Sequence, residues 1–282
     1  MKGGISPMEQ ITVAESRGFW GNMWANVKHS FKAFGTLTYW KDLMHQFTGW
    51  HPLSYLLLGF AIGLQAITFV NGKMGLLDLV TMVSSLLGVV TILAISQAKS
   101  LNGWAGMLSV IGLVWVAFSA KNYLQISEQL IYLVTLDIPV ILNVDWNKNM
   151  SKKIGKLDLK GWAITIIGWA LLWASSGYLI NLLTDDPRPI VDSLVFATAT
   201  VAGILQFLKK RDAYFGWIIT GFTSLALWYI TYQQGDASIA MLLSSLVYVM
   251  NDGIGLTVSP WFSKKGRERL AQQEAEYLVN KQ

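Results

Sequence analysis

No cysteine occurs among the 282 residues, so neither a disulfide nor thiolate chemistry is open to this chain. Charge is scarce as well: 14% of residues are Asp, Glu, Lys or Arg, where a soluble domain carries about 25%. The three histidines, His29, His45 and His51, all precede the first long apolar run, which disfavours an intramembrane protease built on histidine. The GxSxG, HExxH, Walker A and GxGxxG patterns are missing, and no apolar run holds the repeated arginines of a voltage sensor. The chain is read as a non-enzyme that needs no metal and no cofactor.

What is present is apolar. Hydrophobic residues make up 53% of the chain and come in long blocks, the pattern of a polytopic all-α membrane protein. Eight spans are predicted, near 53–70, 76–97, 104–120, 124–144, 162–183, 190–208, 215–233 and 238–258. The first apolar run begins only near Leu53, so no secretory signal peptide is expected. The net charge of +5 is explained by loops at a membrane rather than by nucleic acid. Eight spans place nineteen of the 22 Lys and Arg on one side and leave Lys73, Lys121 and Arg188 on the other. The positive-inside rule then puts both termini in the cytoplasm. Ahead of the first span, Trp20, Trp24, Val27, Phe31 and Phe34 recur at helical spacing with Lys28 and Lys32 among them. That segment is read as a helix in the membrane interface, or as one packed under the bundle.

A repeat emerges from the tryptophans. Trp104 and Trp115 are eleven residues apart, and so are Trp217 and Trp228, at an offset of 113. Each pair leads into a further span with an Asp nine residues before a Trp, Asp137 before Trp146 and Asp252 before Trp261. Spans 2–3–4 therefore match spans 6–7–8, and span 5 restores the orientation that an odd repeat would invert. The expected organisation is an interfacial segment (1–52), an extra transmembrane helix (53–75), a first three-helix repeat (76–147), a linker (148–189), a second repeat (190–261) and a cytoplasmic tail (262–282). Such a parallel 3+1+3 plan holds substrate between its halves near mid-membrane, as SWEET-type transporters do.

The candidate site residues follow from depth and polarity. Asp137 and Asp252 lie deep in their spans, where a charge normally faces a cavity or a partner, though local capping is the plain alternative. Asn251 adds an amide beside Asp252, and Pro139, Gly253 and Gly255 could loosen the two helix ends. Trp104 and Trp217 sit beside basic loops as interfacial anchors. Trp115 and Trp228 lie about 16 Å deeper and are either core or the wall of a site for a flat ring. Tyr229 and Tyr232 extend that aromatic cluster. Trp169 and Trp173 share one face of span 5, closing the site or packing the linker, and Gln206 is a lone amide in span 6.

The stretch GILQFLKKRDAYFGW at 203–217, with its Gln, basic loop and Trp, resembles the PnuC family of bacterial vitamin transporters, best known for nicotinamide riboside. The paired tryptophans and the 3+1+3 plan agree with it across residues 76–261. The resemblance implies a SWEET-like fold, facilitated diffusion of a small vitamin through the bacterial inner membrane, and a homo-oligomer, a trimer being one expected form. Where many members end each repeat with an Asn-x-x-Gly-Trp-like segment, this chain has Asp137-Ile-Pro-Val and Asn251-Asp252-Gly-Ile. Thiamine, riboflavin, a deoxynucleoside or a sugar therefore stand as alternative substrates, and a membrane scaffold without transport as an alternative of another class.

Overall fold

The computed structural model describes residues 19–143, 146 and 150–280. Residues 1–18 of the expected interfacial segment, the side chain of Trp20 and the expected boundary at 147/148 lie outside the described residues. Among the described residues, two helices precede the spans, α1 (Phe19–Phe34) and α2 (Leu37–His45). The eight spanning helices are α3 (Pro52–Asn71), α4 (Leu76–Ser96), α5 (Leu101–Ser119), α6 (Tyr123–Ile141), α8 (Leu159–Leu183), α9 (Pro189–Phe207), α10 (Ala213–Gln233) and α11 (Ile239–Val258). A short turn, α7 (Met150–Lys153), precedes α8, and α12 (Lys264–Asn280) follows α11. All eight are long and apolar enough to cross a membrane.

Local chemistry explains where the helices start and stop. Pro52 and Pro189 occupy first-turn positions, where their missing N–H costs nothing. Four helices end in the same left-handed turn, at Ala98, Lys121, Lys209 and Gly235. In each, the next residue's N–H reaches back five residues, as Lys99 does to Ala94 O and Lys210 to Leu205 O. Pro139 has the opposite effect. It lacks an N–H and crowds the preceding turn of α6, which widens into a π-turn over Leu133–Asp137, with Ile138 N bonding Leu133 O. By contrast, α11 runs unbroken through Gly253 and Gly255.

The two three-helix units, α4–α5–α6 and α9–α10–α11, exchange contacts reciprocally. Helix α4 packs against its neighbour α5 and against α11 of the other unit, while α9 packs against α10 and against α6. Glycine permits both crossings. Tyr248 of α11 fills the space a side chain at Gly88 would need, and Tyr132 and Thr135 of α6 lie over Gly203. The outer helices differ. α3 seals the seam between α4 and α11, where Gln65 Nε2 donates to Ala240 O (3.1 Å) and to Ser244 Oγ (2.8 Å). α8 leans on α9, and most of its apolar surface is exposed, as expected for a face toward lipid or another subunit.

The N-terminal segment is cemented to the basic end of the bundle by aromatic rings. Phe34, Tyr39 and Trp40 gather around Trp104, whose indole N–H donates to Tyr39 Oη at 2.7 Å. Trp24 and Phe31 stay exposed beside Lys28 and Lys32. At the same end α12 folds back: Arg269 donates to Gln97 Oε1 (2.9 Å), and Gln273 Nε2 to Gly49 O (2.8 Å).

Candidate functional site

A buried carboxylate in a spanning helix needs a partner, a ligand or water. Three of them, Glu128, Asp137 and Asp252, line one cavity of about 130 Å³ between the two units. Helices α4, α5, α6, α10 and α11 form its walls. Its lining contains no Lys, Arg or His.

The polar floor lies toward the basic end. Asp137 is the last residue of the π-turn and is 1% exposed, with no hydrogen-bond partner in the protein for either carboxylate oxygen. Asn251 Oδ1 likewise has none. The floor is built from matched parts, each 115 residues apart: Gly106 and Gly221, Ser109 and Ser224, Asp137 and Asp252. A side chain at Gly106 would overlap the Asp137 carboxylate, and one at Gly221 would crowd Val249 and approach Asp252. Gly106→Ala is therefore expected to lower stability by about 1–3 kcal/mol through overpacking. Thermal unfolding in detergent checks this, with Gly168→Ala, on an open face of α8, showing no loss.

The opposite half of the cavity is aromatic and acidic. Trp228 is 4% exposed and packs with Leu113, Val116, Ala120 and Met241. Glu128 lies at a similar level, each being about 8 Å from its helix end by the rise per residue. Gln125 Nε2 donates to Glu128 Oε2 at 2.8 Å. Trp217, nearer the basic end, also lines the cavity and stacks obliquely on Tyr132, with ring centroids 5.6 Å apart.

Of the residues expected from sequence, Trp228, Asp137, Asn251 and Asp252 come together here. Trp115 does not: it is 45% exposed on the outer face of α5. The cavity position matching Trp228 at the offset of 115 is Leu113, and two residues of helix rotate a side chain by about 200°. Tyr229, next to Trp228, faces outward at 54% exposure. Trp169 and Trp173 stack on each other outside the cavity lining, and Trp173 Nε1 donates to Ile190 O (3.3 Å), tying α8 to α9. Gln206 accepts a 3.4 Å bond from Trp217 Nε1 and lines a smaller cavity of about 30 Å³ toward the basic end. Lys209 donates at 2.9 Å to the carbonyl of Trp146, which lines the same small cavity. It lies over the Trp146 ring, and burial, with Lys153 nearby, brings its pKa down to about 8.

Glu128, Gln125, Tyr132 and Tyr248 are lining residues that the sequence reading missed. Glu128 carried a usable signal, a charged residue inside a predicted span, but it has no counterpart in the second repeat and pattern matching passed over it.

Residues 78–262 match the family described as nicotinamide mononucleotide transporter. The nicotinamide riboside transporter PnuC of Neisseria mucosa is 24% identical over 231 residues, covering 78% of this chain and 84% of its own. The protein of the same name from Haemophilus influenzae is 25% identical over 205 residues, covering 71% and 88%. A crystal structure of the vitamin B3 transporter PnuC has the same fold, with a TM-score of 0.65 at 20% identity over 85% of this chain and all of that one. With the family match spanning most of the chain and, among the described residues, eight helices long and apolar enough to cross a membrane, the chain belongs to the nicotinamide mononucleotide transporter family and is a multi-pass membrane transporter, not an enzyme.

Proposed function

We infer that the chain carries nicotinamide riboside across the bacterial inner membrane. The observation that carries this is the cavity lining: three carboxylates, two tryptophans and no basic side chain. Nicotinamide riboside is a flat pyridinium cation on an uncharged ribose. A cation of that shape suits an indole face and a carboxylate, while amides and hydroxyls suit the ribose. The mononucleotide named in the family description adds a phosphate, for which the lining offers no Lys or Arg. The two relatives named for the riboside agree with this choice.

The proposed mechanism is facilitated diffusion with alternating access. The units 76–147 and 190–261 rock about the cavity, and the linker at 148–189 joins them. The nineteen Lys and Arg at one end support cytoplasmic termini. The exposed apolar face of α8 fits a homo-oligomer, with a trimer as the proposed form.

Titration calorimetry on the purified protein tests the substrate. Nicotinamide riboside should bind saturably, and the mononucleotide at least about tenfold more weakly, the scale of an unpaired charge in a polar site. Thiamine, riboflavin, deoxynucleosides and a neutral hexose are run beside them. Saturable binding of one of these with none of nicotinamide riboside would keep the transporter and overturn the substrate. Equal binding of the mononucleotide would overturn the charge argument.

A further inference from the structure

The end of the bundle opposite the basic loops carries one buried cation. Lys73 and Lys121 are exposed there, whereas Arg188 is 4% exposed. Arg188, at the end of the 148–189 linker, is the residue that opens α9 and so travels with the second unit. Its guanidinium has two sets of partners. Within its own unit, Nη1 donates to Asp236 Oδ2 at 2.8 Å and to Gln234 Oε1, both in the loop after α10. Across to the first unit, Nε donates to Asn122 Oδ1 at 2.9 Å and Nη2 to Ala120 O, in the loop between α5 and α6.

Other bonds across the same seam gather around that loop. Asn122 Nδ2 donates to Thr231 Oγ1 at 3.2 Å. Asp192 of α9 accepts from Leu124 N at 2.8 Å and from Gln125 Nε2 at 3.3 Å. Gln125 is also bonded to Glu128 in the cavity wall, and Ala117, one turn below Ala120, lines the cavity. This cluster therefore roofs the cavity and ties the two units together.

We propose that Arg188 is the latch of the gate on this side of the membrane, holding the first unit's loop at Ala120 and Asn122 shut against the second unit. The inference rests on the alternating-access reading above. Its physical basis is the division of partners. When the units part, Arg188 loses Asn122 and Ala120 but keeps Asp236 and Gln234, so opening does not strand a buried charge. A cation held from both units can thus open and close, where one held only across the seam would lock.

The absence of cysteine allows a clean test. Ala117→Cys provides a single reporter under the gate, labelled by a membrane-impermeant thiol reagent applied from the Arg188 side of oriented vesicles. Arg188→Gln and Asn122→Ala, each added to the reporter, should speed labelling by about tenfold, the scale of losing one charge-assisted bond across the seam. Asn122→Ala spares the arginine and its own-unit partners, so it decides the matter if Arg188→Gln does not fold. Unchanged labelling in folded Asn122→Ala protein, or faster labelling only from the basic side, would overturn the latch. Uptake of nicotinamide riboside by the unsubstituted protein is measured in parallel, because Ala117 lines the cavity. Absence of that uptake with the labelling response intact sinks the substrate and spares the gate.

Discussion

Trp228→Ala is expected to weaken nicotinamide riboside binding by roughly tenfold or more, while Trp115→Ala leaves it unchanged. The difference is one of direction. Both tryptophans sit eleven residues after a tryptophan near the basic end of a spanning helix, and both are deep. Trp228 turns into the cavity, held by Leu113, Val116 and Met241. Trp115 points away from the bundle at 45% exposure. An indole face beside a pyridinium contributes about 0.5–2 kcal/mol through its quadrupole, more when water is excluded, and removing the ring also opens the wall. Calorimetry on both variants, with thermal unfolding to show that each is folded, checks the pair. Equal loss in the two would mean that the tryptophans act through packing, and no loss in either would place the ring elsewhere in the cavity.

Glu128→Gln should lower affinity for nicotinamide riboside by about tenfold to a hundredfold, the range for losing a charged partner in a buried site. Glu128 lies at the level of Trp228 and is 5% exposed, so its field is poorly screened. The amide keeps the size and an acceptor for Gln125, so the variant isolates charge from shape. The informative comparison is with the reduced, uncharged form of nicotinamide riboside. Glu128→Gln should change its binding little, so the preference for the cation over the neutral form should shrink. A parallel loss for both forms would assign Glu128 to hydrogen bonding and would move the counter-charge to Asp137 or Asp252.

Much of the architecture is legible without coordinates because it rests on quantities summed along the chain. Eight apolar runs of bilayer length become eight helices, with ends within a few residues of those predicted. The lopsided placement of Lys and Arg is a property of loops and needs no packing. Asp137 and Asp252 could be named because a carboxylate deep in an apolar helix is costly wherever it points, so depth alone marks it. Asn251 came with Asp252 as its neighbour.

What escaped the sequence depends on rotation about a helix axis, which composition does not report. The tryptophans repeat at 113 residues, whereas the Gly–Ser–Asp floor repeats at 115. Those two residues turn Trp115 to the outside and put Leu113 where Trp228 stands in the other unit. The rotation of α5 is set by close contact, as Gly106 admits the Asp137 carboxylate and Gly112 admits Ser84. Tyr132 and Tyr248 reach the cavity because each crosses to the other unit over a glycine, a pairing of residues far apart in the chain. Arg188 gains its meaning in the same way, from loops that meet only when the two units close on each other. The sequence by itself determined a bilayer protein of eight apolar runs with acids deep in them; the packing of the helices decided which rings face the cavity and which cation bridges the seam, because direction and proximity come from contacts between helices.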